Sequence, residues 1–216
     1  GYSTGGRAGG IKSLLRYTRN GKAMPIRVGM GKADLDAMSL PTTLPGSTIS
    51  NRPVEIAGGT YHITCASVGN PHCVVFCDDP SALDLETLGP KFERASYFPE
   101  RINTEFVRIV NEDTLRMRVY ERGNGETVAC GTGACAAVIA ATENGLLEKG
   151  QDITVTLVGG DLVVKYTAHE VILTGDAVLV YDGVVESCSS SCTRKKPPLS
   201  DAPTGAAFCV FSPLLS

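Results

Sequence analysis

The stretch from residue 120 to residue 144 reads YERGNGETVACGTGACAAVIAATEN and decides the fold. A strand ends at Glu121, a glycine-rich turn follows, and a helix opens just after Cys130. Residues 131–144 hold the only long helical pattern in the sequence; it is rich in alanine, and Gly145 follows where a helix C-cap is expected. A helix that is apolar on nearly every side is stable only when it is buried. The sequence therefore predicts one central helix wrapped by sheet.

Strand patterns precede and follow this helix. Alternating and apolar runs predict hairpins over residues 11–29, 52–68, 106–121 and 153–166, and single strands at 73–77, 171–174 and 177–181. Turns are expected at Asn20-Gly21, Gly58-Gly59 and Gly159-Gly160. A short helix is predicted over residues 84–88, broken by Gly89-Pro90. Together these patterns predict an α/β chain of the α+β kind.

The composition excludes several classes of protein. The 216 residues carry 20 basic and 23 acidic side chains, a net charge of −3, which disfavours a nucleic-acid partner. No run of 18 apolar residues could span a membrane and no secretory signal is visible, so we expect a cytoplasmic chain with no membrane partner. The eight cysteines show no Cys-x-x-Cys spacing and only three histidines accompany them, which predicts free thiols rather than a zinc site.

The densest chemical signal lies at Cys130 and the Gly131-Thr132-Gly133 segment. The first amides of a helix have no partner within it, so small residues there let an anion approach closely. The same position favours a thiolate, although Glu121 opposes that shift. We expect the effect of the helix terminus on the pKa of Cys130 to exceed that of Glu121. The pKa of Cys130 is then lowered, and Cys130 alkylates faster than the other cysteines of the folded body. A glycine-rich turn with a buried cysteine is the alternative; a phosphate-binding P-loop is excluded because no Gly-Lys-Ser/Thr follows, and no parallel βαβ series supports a Rossmann site.

Two further segments contain candidate site residues. Gly69-Asn70-Pro71-His72 precedes the strand at 73–77, and Asn103 follows Phe98-Pro99 and precedes another strand. Each segment alone is typical of an ordinary turn. In chain order, with residues 121–127 and 129–134, they resemble the diaminopimelate epimerase family over roughly residues 9–186.

The resemblance implies an isomerase of lysine and peptidoglycan-precursor biosynthesis that interconverts LL- and meso-diaminopimelate without pyridoxal phosphate or metal. It needs no cofactor, because two cysteines on opposite faces of the α-carbon remove and deliver the proton; its partner is a small-molecule substrate, with a possible homodimer. The family fold is two pseudosymmetric lobes, each a mixed sheet around a central helix. The implied roles are Cys130 as the second catalytic cysteine, Glu121 on the α-ammonium and assisting the thiols, His72 beside the thiols, Gly131 and Thr132 on the α-carboxylate, and Asn70, Asn103 and Arg122 on the distal end.

The resemblance also implies that this chain lacks most of the first lobe of the family fold. The family's first lobe supplies the other cysteine in a Cys-Gly-Asn-Gly setting, which the sequence before residue 31 lacks. We therefore expect residues 1–31 to be a remnant of the first lobe, 32–175 the second lobe, 176–186 a strand returning to the first lobe, and 187–216 a disordered low-complexity tail. Such a truncated chain is expected to be inactive alone and, with its lobe interface exposed, to associate or aggregate.

Other interpretations remain open at this point. The chain could be a non-catalytic anion-binding lobe, or another two-cysteine amino-acid racemase. A metal site built from His72, Cys73, Cys77 and Cys130 is disfavoured because their spacing fits no common site. Cys73, Cys77 and Cys135 are expected to be packed in the core, with a resolving thiol as the alternative for Cys135.

Overall fold

The computed structural model describes residues 25–176 in full, together with the backbone of strands between residues 2 and 23 and after residue 176. The strands are, in chain order, β1 Tyr2–Gly5, β2 Ile11–Leu15, β3 Thr18–Arg19, β4 Lys22–Ala23, β5 Ile26–Gly31, β6 Arg52–Ile56, β7 Gly59–Ser67, β8 Pro71–Phe76, β9 Asn103–Asn111, β10 Thr114–Glu121, β11 Gly125–Thr127, β12 Asp152–Leu157, β13 Gly160–Tyr166, β14 Val171–Gly175, β15 Ala177–Gly183 and β16 Ala206–Phe211. The helices are α1 Leu85–Glu93 and α2 Gly131–Glu143, with one 3₁₀ turn at Pro80–Ala82.

One long mixed sheet forms the body, in the order β1-β2-β5-β14-β13-β12-β10-β9-β8-β7-β6, with β11 added beside β10. The β8–β9 and β10–β12 pairs are parallel, and the other pairs along this path are antiparallel. The mixed sheet predicted from the resemblance is therefore confirmed.

Helix α2 lies at the centre of this curved sheet. Its residues from Gly133 to Ala141 are all buried, and the helix packs against β7, β8, β9, β10, β13 and β14. The prediction of a buried helix wrapped by sheet is confirmed, as is its C-terminal signal, since Gly145 takes φ +72° directly after the cap residue Asn144. Within the described residues, neither helix is long and apolar enough to cross a membrane.

Helix α1 covers a second, smaller core on the other face of β6 to β9. The Phe92 ring meets Tyr61 and Phe106 edge-on, with centroid distances of 4.9 and 5.2 Å. The predicted break at Gly89-Pro90 is wrong, because α1 continues to Glu93. Pro90 removes one N–H from the helix, and burial of Leu85 and Phe92 outweighs that loss.

The predicted hairpins are confirmed with small shifts in two turns. Arg19 pairs with Lys22 around positions 20–21, and β9 pairs with β10 as expected. The β6–β7 turn is centred on Ala57-Gly58 rather than on Gly58-Gly59, since Ile56 already pairs with Gly59, and the β12–β13 turn lies likewise one residue early.

In the segment predicted to be a disordered tail, the structure describes one strand. Strand β16 pairs antiparallel with β15 in a separate two-stranded sheet, so the prediction of disorder over all of 187–216 is wrong at this strand. Its sequence, AAFCVF, is apolar and contains β-forming residues. The rest of the predicted tail lies outside the described residues.

Candidate functional site

The topology brings the predicted site segments to one place. The parallel pairing of β8 and β9 sets His72 opposite Asn103, and the antiparallel pairing of β9 and β10 sets Thr104 opposite Tyr120. The N-terminal ends of β8 and β9 and the C-terminal end of β10 therefore lie at the same end of the sheet. Helix α2 begins at this end of the sheet, since the Thr132 side chain forms a hydrogen bond with Asn70 and Gly133 lies against Glu105.

Cys130 is the N-cap of α2. Its Sγ accepts a hydrogen bond from the Gly133 amide at 3.3 Å and lies 3.5 Å from the Thr132 hydroxyl. The amides of Gly131 and Thr132 find no acceptor in the part of the chain that the structure describes, because the first amides of a helix have none within it. The structure thus places the thiol beside two free amides, as the sequence predicted.

The expected lowering of the Cys130 pKa is wrong. Burial raises the pKa of Cys130 to about 12, and the charges of Glu105 and Glu121 add to the rise. The hydrogen bonds from Thr132 and the Gly133 amide favour the thiolate but do not offset burial. Cys130 therefore rests as a thiol. Cys77 is only half-buried and its pKa is raised to about 11, so the pKa values give no reason to expect Cys130 to alkylate faster than Cys77.

Asn70 and Thr132 are joined directly. Asn70 Nδ2 donates to Thr132 Oγ1 at 3.2 Å, while Asn70 Oδ1 is buried without a partner among the described residues. A buried amide oxygen that lacks a donor is unfavourable unless a ligand supplies one. The loop before β8 therefore offers an acceptor next to the helix terminus.

Asn103 connects two neighbouring loops. Its Nδ2 donates to the Pro71 carbonyl at 2.8 Å, and its Oδ1 accepts from the Arg122 amide at 2.9 Å. Asn103 thereby positions the turn that carries Arg122. The Arg122 guanidinium is exposed, reaches the Glu100 carbonyl at 3.2 Å, and forms no ion pair with any acidic group in the described range. It is available to a ligand carboxylate.

Glu121 lies at the end of β10 and accepts a short hydrogen bond from the Thr127 hydroxyl at 2.5 Å. Its charge reaches Cys130, since it contributes to the raised pKa of that thiol. Thr127 lies on β11, which Arg118 fixes by a two-point pair with Glu126 (Nε to Oε1 2.7 Å, Nη2 to Oε2 2.9 Å). Glu126 therefore holds the strand that orients Glu121.

His72 is fully buried, and its partner was missed in the sequence. Its Nδ1 lies 2.6 Å from Oε1 of Glu105, which is also fully buried, and its Nε2 has no partner among the described residues. Glu105 stands two residues after Asn103 in a run where all of residues 103–107 are buried. A glutamate inside such an apolar strand pattern is the signal that could have revealed it.

The metal interpretation finds no support in the structure. Across the described residues, no group of three His, Cys, Asp or Glu side chains is placed to hold a metal ion.

Cys73 is buried opposite Cys65 across the β7–β8 pair, where burial raises its pKa well above the ordinary value. Cys135 is buried inside α2, as predicted for a packed residue.

A sequence model of the diaminopimelate epimerase family matches residues 64–180, more than half of the chain. This chain belongs to the diaminopimelate epimerase family. The diaminopimelate epimerase of Acetivibrio thermocellus is 43% identical over 179 residues, covering 82% of this chain and 63% of that protein. The diaminopimelate epimerase of Acaryochloris marina is 43% identical over 166 residues, covering 75% of this chain and 58% of that protein. The chain thus spans roughly 60% of the length of these relatives.

The solved structure of a hydroxyproline epimerase from Agrobacterium vitis superposes with a TM-score of 0.56 at 13% identity, covering 77% of this chain and 54% of that one. At that identity the likeness concerns the fold, and it confirms the epimerase-like lobe. All eight predicted site positions lie inside the segment matched by the diaminopimelate epimerase family, from Asn70 to Thr132.

Proposed function

We propose that this chain carries one half of a cofactor-independent epimerase site, in which Cys130 exchanges a proton at the α-carbon of diaminopimelate. The observation that carries the proposal is the Cys130 thiol as N-cap of α2, beside the free amides of Gly131 and Thr132. This arrangement brings a proton donor and an anion site together at one helix terminus.

The helix terminus lowers the barrier to proton removal. When the α-carbon loses its proton, negative charge spreads onto the α-carboxylate. The amides of Gly131 and Thr132 would bind that carboxylate, and the partial positive charge of the helix end would strengthen the interaction as the charge grows. Interactions that are stronger in the transition state than in the ground state are the ones that accelerate the step.

Cys130 acts as the acid in this scheme. Its raised pKa, about 12, keeps the proton on sulfur until the carbanion forms. A thiolate on the opposite face takes the α-proton, Cys130 delivers its own proton, and configuration at the carbon is inverted. Cys130 is left as a thiolate and the other cysteine as a thiol, so the reverse reaction uses the same pair in exchanged roles.

Arg122 favours a substrate with a second carboxylate. It is exposed and, within the described residues, lacks an acidic partner, while Asn103 fixes the backbone from which it projects. A bidentate contact to a distal carboxylate would use this cation, whereas a proline-type substrate would leave it unused. Diaminopimelate has carboxylates at both ends, which supports it over monocarboxylic amino acids.

The experiment measures solvent deuterium incorporation at the α-carbon of LL-diaminopimelate. We expect no incorporation above background with the 216-residue chain, because its sequence contains no Cys-Gly-Asn-Gly segment to supply the other cysteine. A chimera that adds the part of the Acetivibrio thermocellus relative that this chain does not cover should incorporate deuterium and invert the centre. Its Cys130→Ser variant, matched in size, should lose both. A folded chimera no faster than this variant would overturn the proposal.

A binding measurement tests the non-catalytic alternative. Calorimetric titration of the 216-residue chain with diaminopimelate, and of its Arg122→Gln variant, reports binding without turnover. Binding that depends on Arg122, together with an inactive chimera, would favour an anion-binding lobe over an epimerase.

A further inference from the structure

Glu105 is the least compensated charged residue of the described core. Its side chain is fully buried, Oε1 contacts His72 Nδ1, and Oε2 has no partner among the described residues. Glu93 offers the contrast, because it is also buried, accepts from the Gly123 amide at 2.8 Å, and faces Arg94 and Arg101. A buried carboxylate with one open oxygen is costly, so stability alone does not explain Glu105.

Glu105 lies directly beside Cys130. A Cβ built on Gly133 would stand 2.7 Å from Glu105 Oε1 and 3.2 Å from Cys130 Sγ. Both atoms therefore border the space that a side chain at position 133 would fill. Glycine at this position admits the carboxylate next to the thiol, in the first turn of the helix.

We propose that Glu105 is a positioning residue of the site, which holds the His72 ring through Nδ1 and leaves Nε2 as the ring nitrogen that exchanges protons there. A carboxylate accepts only, so the 2.6 Å contact puts a proton on Nδ1. In the neutral ring Nε2 is then the acceptor. The buried Nε2 has no partner within the described part of the chain, which fits a group that awaits a ligand or a proton.

The inference deepens the proposed function and rests on it for the identity of the ligand. The charged and titratable groups that face Cys130 are Glu105 on β9 and Glu121 on β10, with His72 on β8 reached through Glu105. Of the two carboxylates, Glu105 raises the pKa of Cys130 more. Removing its charge should therefore increase the thiolate fraction of Cys130, although burial remains the larger cause of the raised pKa, whereas removing a remote buried charge should leave that fraction unchanged.

Two measurements on the full 216-residue chain test the inference without substrate. The first is the ¹⁵N chemical shifts of the His72 ring. We expect the Nδ1–H tautomer in the parent chain and in Glu93→Gln, and a mixture of tautomers in Glu105→Leu, which lacks the acceptor. A parent chain with the proton on Nε2 would overturn the proposal, and this result needs no variant to fold.

The second measurement is the alkylation rate of Cys130 at pH 8.5, mapped by mass spectrometry, with Cys77, Cys188, Cys192 and Cys209 replaced by Ser. Glu105→Gln keeps the size and removes the charge, so we expect Cys130 to react about tenfold faster, the change in thiolate for one pKa unit. Glu93→Gln should change the rate less than twofold. Cys135 is buried in the same helix, so its alkylation rate reports opening of the fold. If the rate at Cys135 rose as much as that at Cys130, or if Glu93→Gln raised the Cys130 rate equally, Glu105 would have only a structural role. Both measurements can succeed with an inactive chimera, so failure of the proposed function is seen separately.

Discussion

The two ends of helix α2 are built in opposite ways. At the C-terminal end, Asn144 accepts from Ser50 at 2.7 Å and donates to Thr64 at 2.9 Å, and Glu143 binds both Lys149 and the Tyr166 hydroxyl at 2.8 Å. Lys149 also lies over the Tyr166 ring, 4.3 Å from its centroid. Apart from the Thr142 hydroxyl, no buried side-chain oxygen or nitrogen described around this end lacks a partner.

The N-terminal end leaves its polar groups open. The amides of Gly131 and Thr132 have no acceptor among the described residues, and three buried atoms around them lack partners there: Asn70 Oδ1, His72 Nε2 and Glu105 Oε2. One helix therefore has one terminus whose buried polar groups are nearly all paired and one whose polar groups are open. The open groups cost stability, and a ligand that pairs with them would recover it.

The largest expected effect is on the N-terminal end. Gly133→Ala places a methyl group 2.7 Å from Glu105 Oε1, which the His72 contact prevents from moving freely. We expect a loss of about 2 kcal/mol in the free energy of unfolding, measured by urea denaturation. A loss below about 0.5 kcal/mol would show that Glu105 is not fixed and would weaken the contrast between the two ends.

A smaller loss is expected at the satisfied end. Asn144→Ala removes the bonds to Ser50 and Thr64, which are partly accessible to water. We expect a loss of about 1.5 kcal/mol, with no change in Cys130 alkylation. If the rate at Cys130 rose with this variant, the two ends would be coupled and the comparison would fail.

Gly145 and Gly133 need to be glycine for different reasons: at Gly145 the backbone conformation requires it, and at Gly133 the lack of space requires it. The φ of +72° at Gly145 strains other residues, but a methyl group added at this position would meet no atom within 4 Å. Gly145→Ala should cost about 1 kcal/mol, and Gly145→Asn less, because Asn tolerates this conformation. At Gly133, by contrast, Asn should be at least as damaging as Ala, since space and not φ is limiting there. Thermal denaturation of the four variants checks this.

The smallest effect concerns pH. The hydrogen bond from Lys149, followed by that from Tyr166, lowers the pKa of Glu143. Its stabilisation is therefore present above the unfolded pKa, about 4.3, and is lost as the pH falls through the lower folded value. Glu143→Gln should cost about 0.5 kcal/mol or less at pH 7, discounted for exposure, and nothing near pH 2. A cost that persists at pH 2 would contradict an ionic origin.

Much of the body could be predicted from the sequence, because local patterns carry it. The alanine-rich run with Gly145 behind it predicted α2, and the alternation in Leu115, Met117 and Val119 predicted β10, whose three side chains are indeed buried. The break expected at Pro90 failed because the burial of Phe92 is a tertiary effect that no local rule contains.

The ordered motifs could predict which candidate residues come together, but they could not predict the electrostatics around Cys130. The motifs, taken in chain order, singled out Asn70, His72, Asn103 and Cys130, and the structure places these residues at one end of the sheet. Glu105 was missed because its significance depends on a neighbour in the parallel strand β8, 33 residues away in sequence. The direction of the Cys130 pKa failed for a similar reason: burial decides it, and burial is set by the packing of the whole lobe.

The pairing of β5 with β14 has a consequence for the newly made chain. About 140 residues separate these partners, and β5 carries the buried side chains Ile26, Val28 and Met30. At a synthesis rate of about 5–20 residues per second, β5 waits roughly seven to thirty seconds for β14 to leave the ribosome. During that interval β5 has only its pairing with β2, and for most of it helix α2 is not yet made. The growing polypeptide therefore exposes an apolar segment for several seconds, and this part of the sheet forms only after β14 has been synthesised.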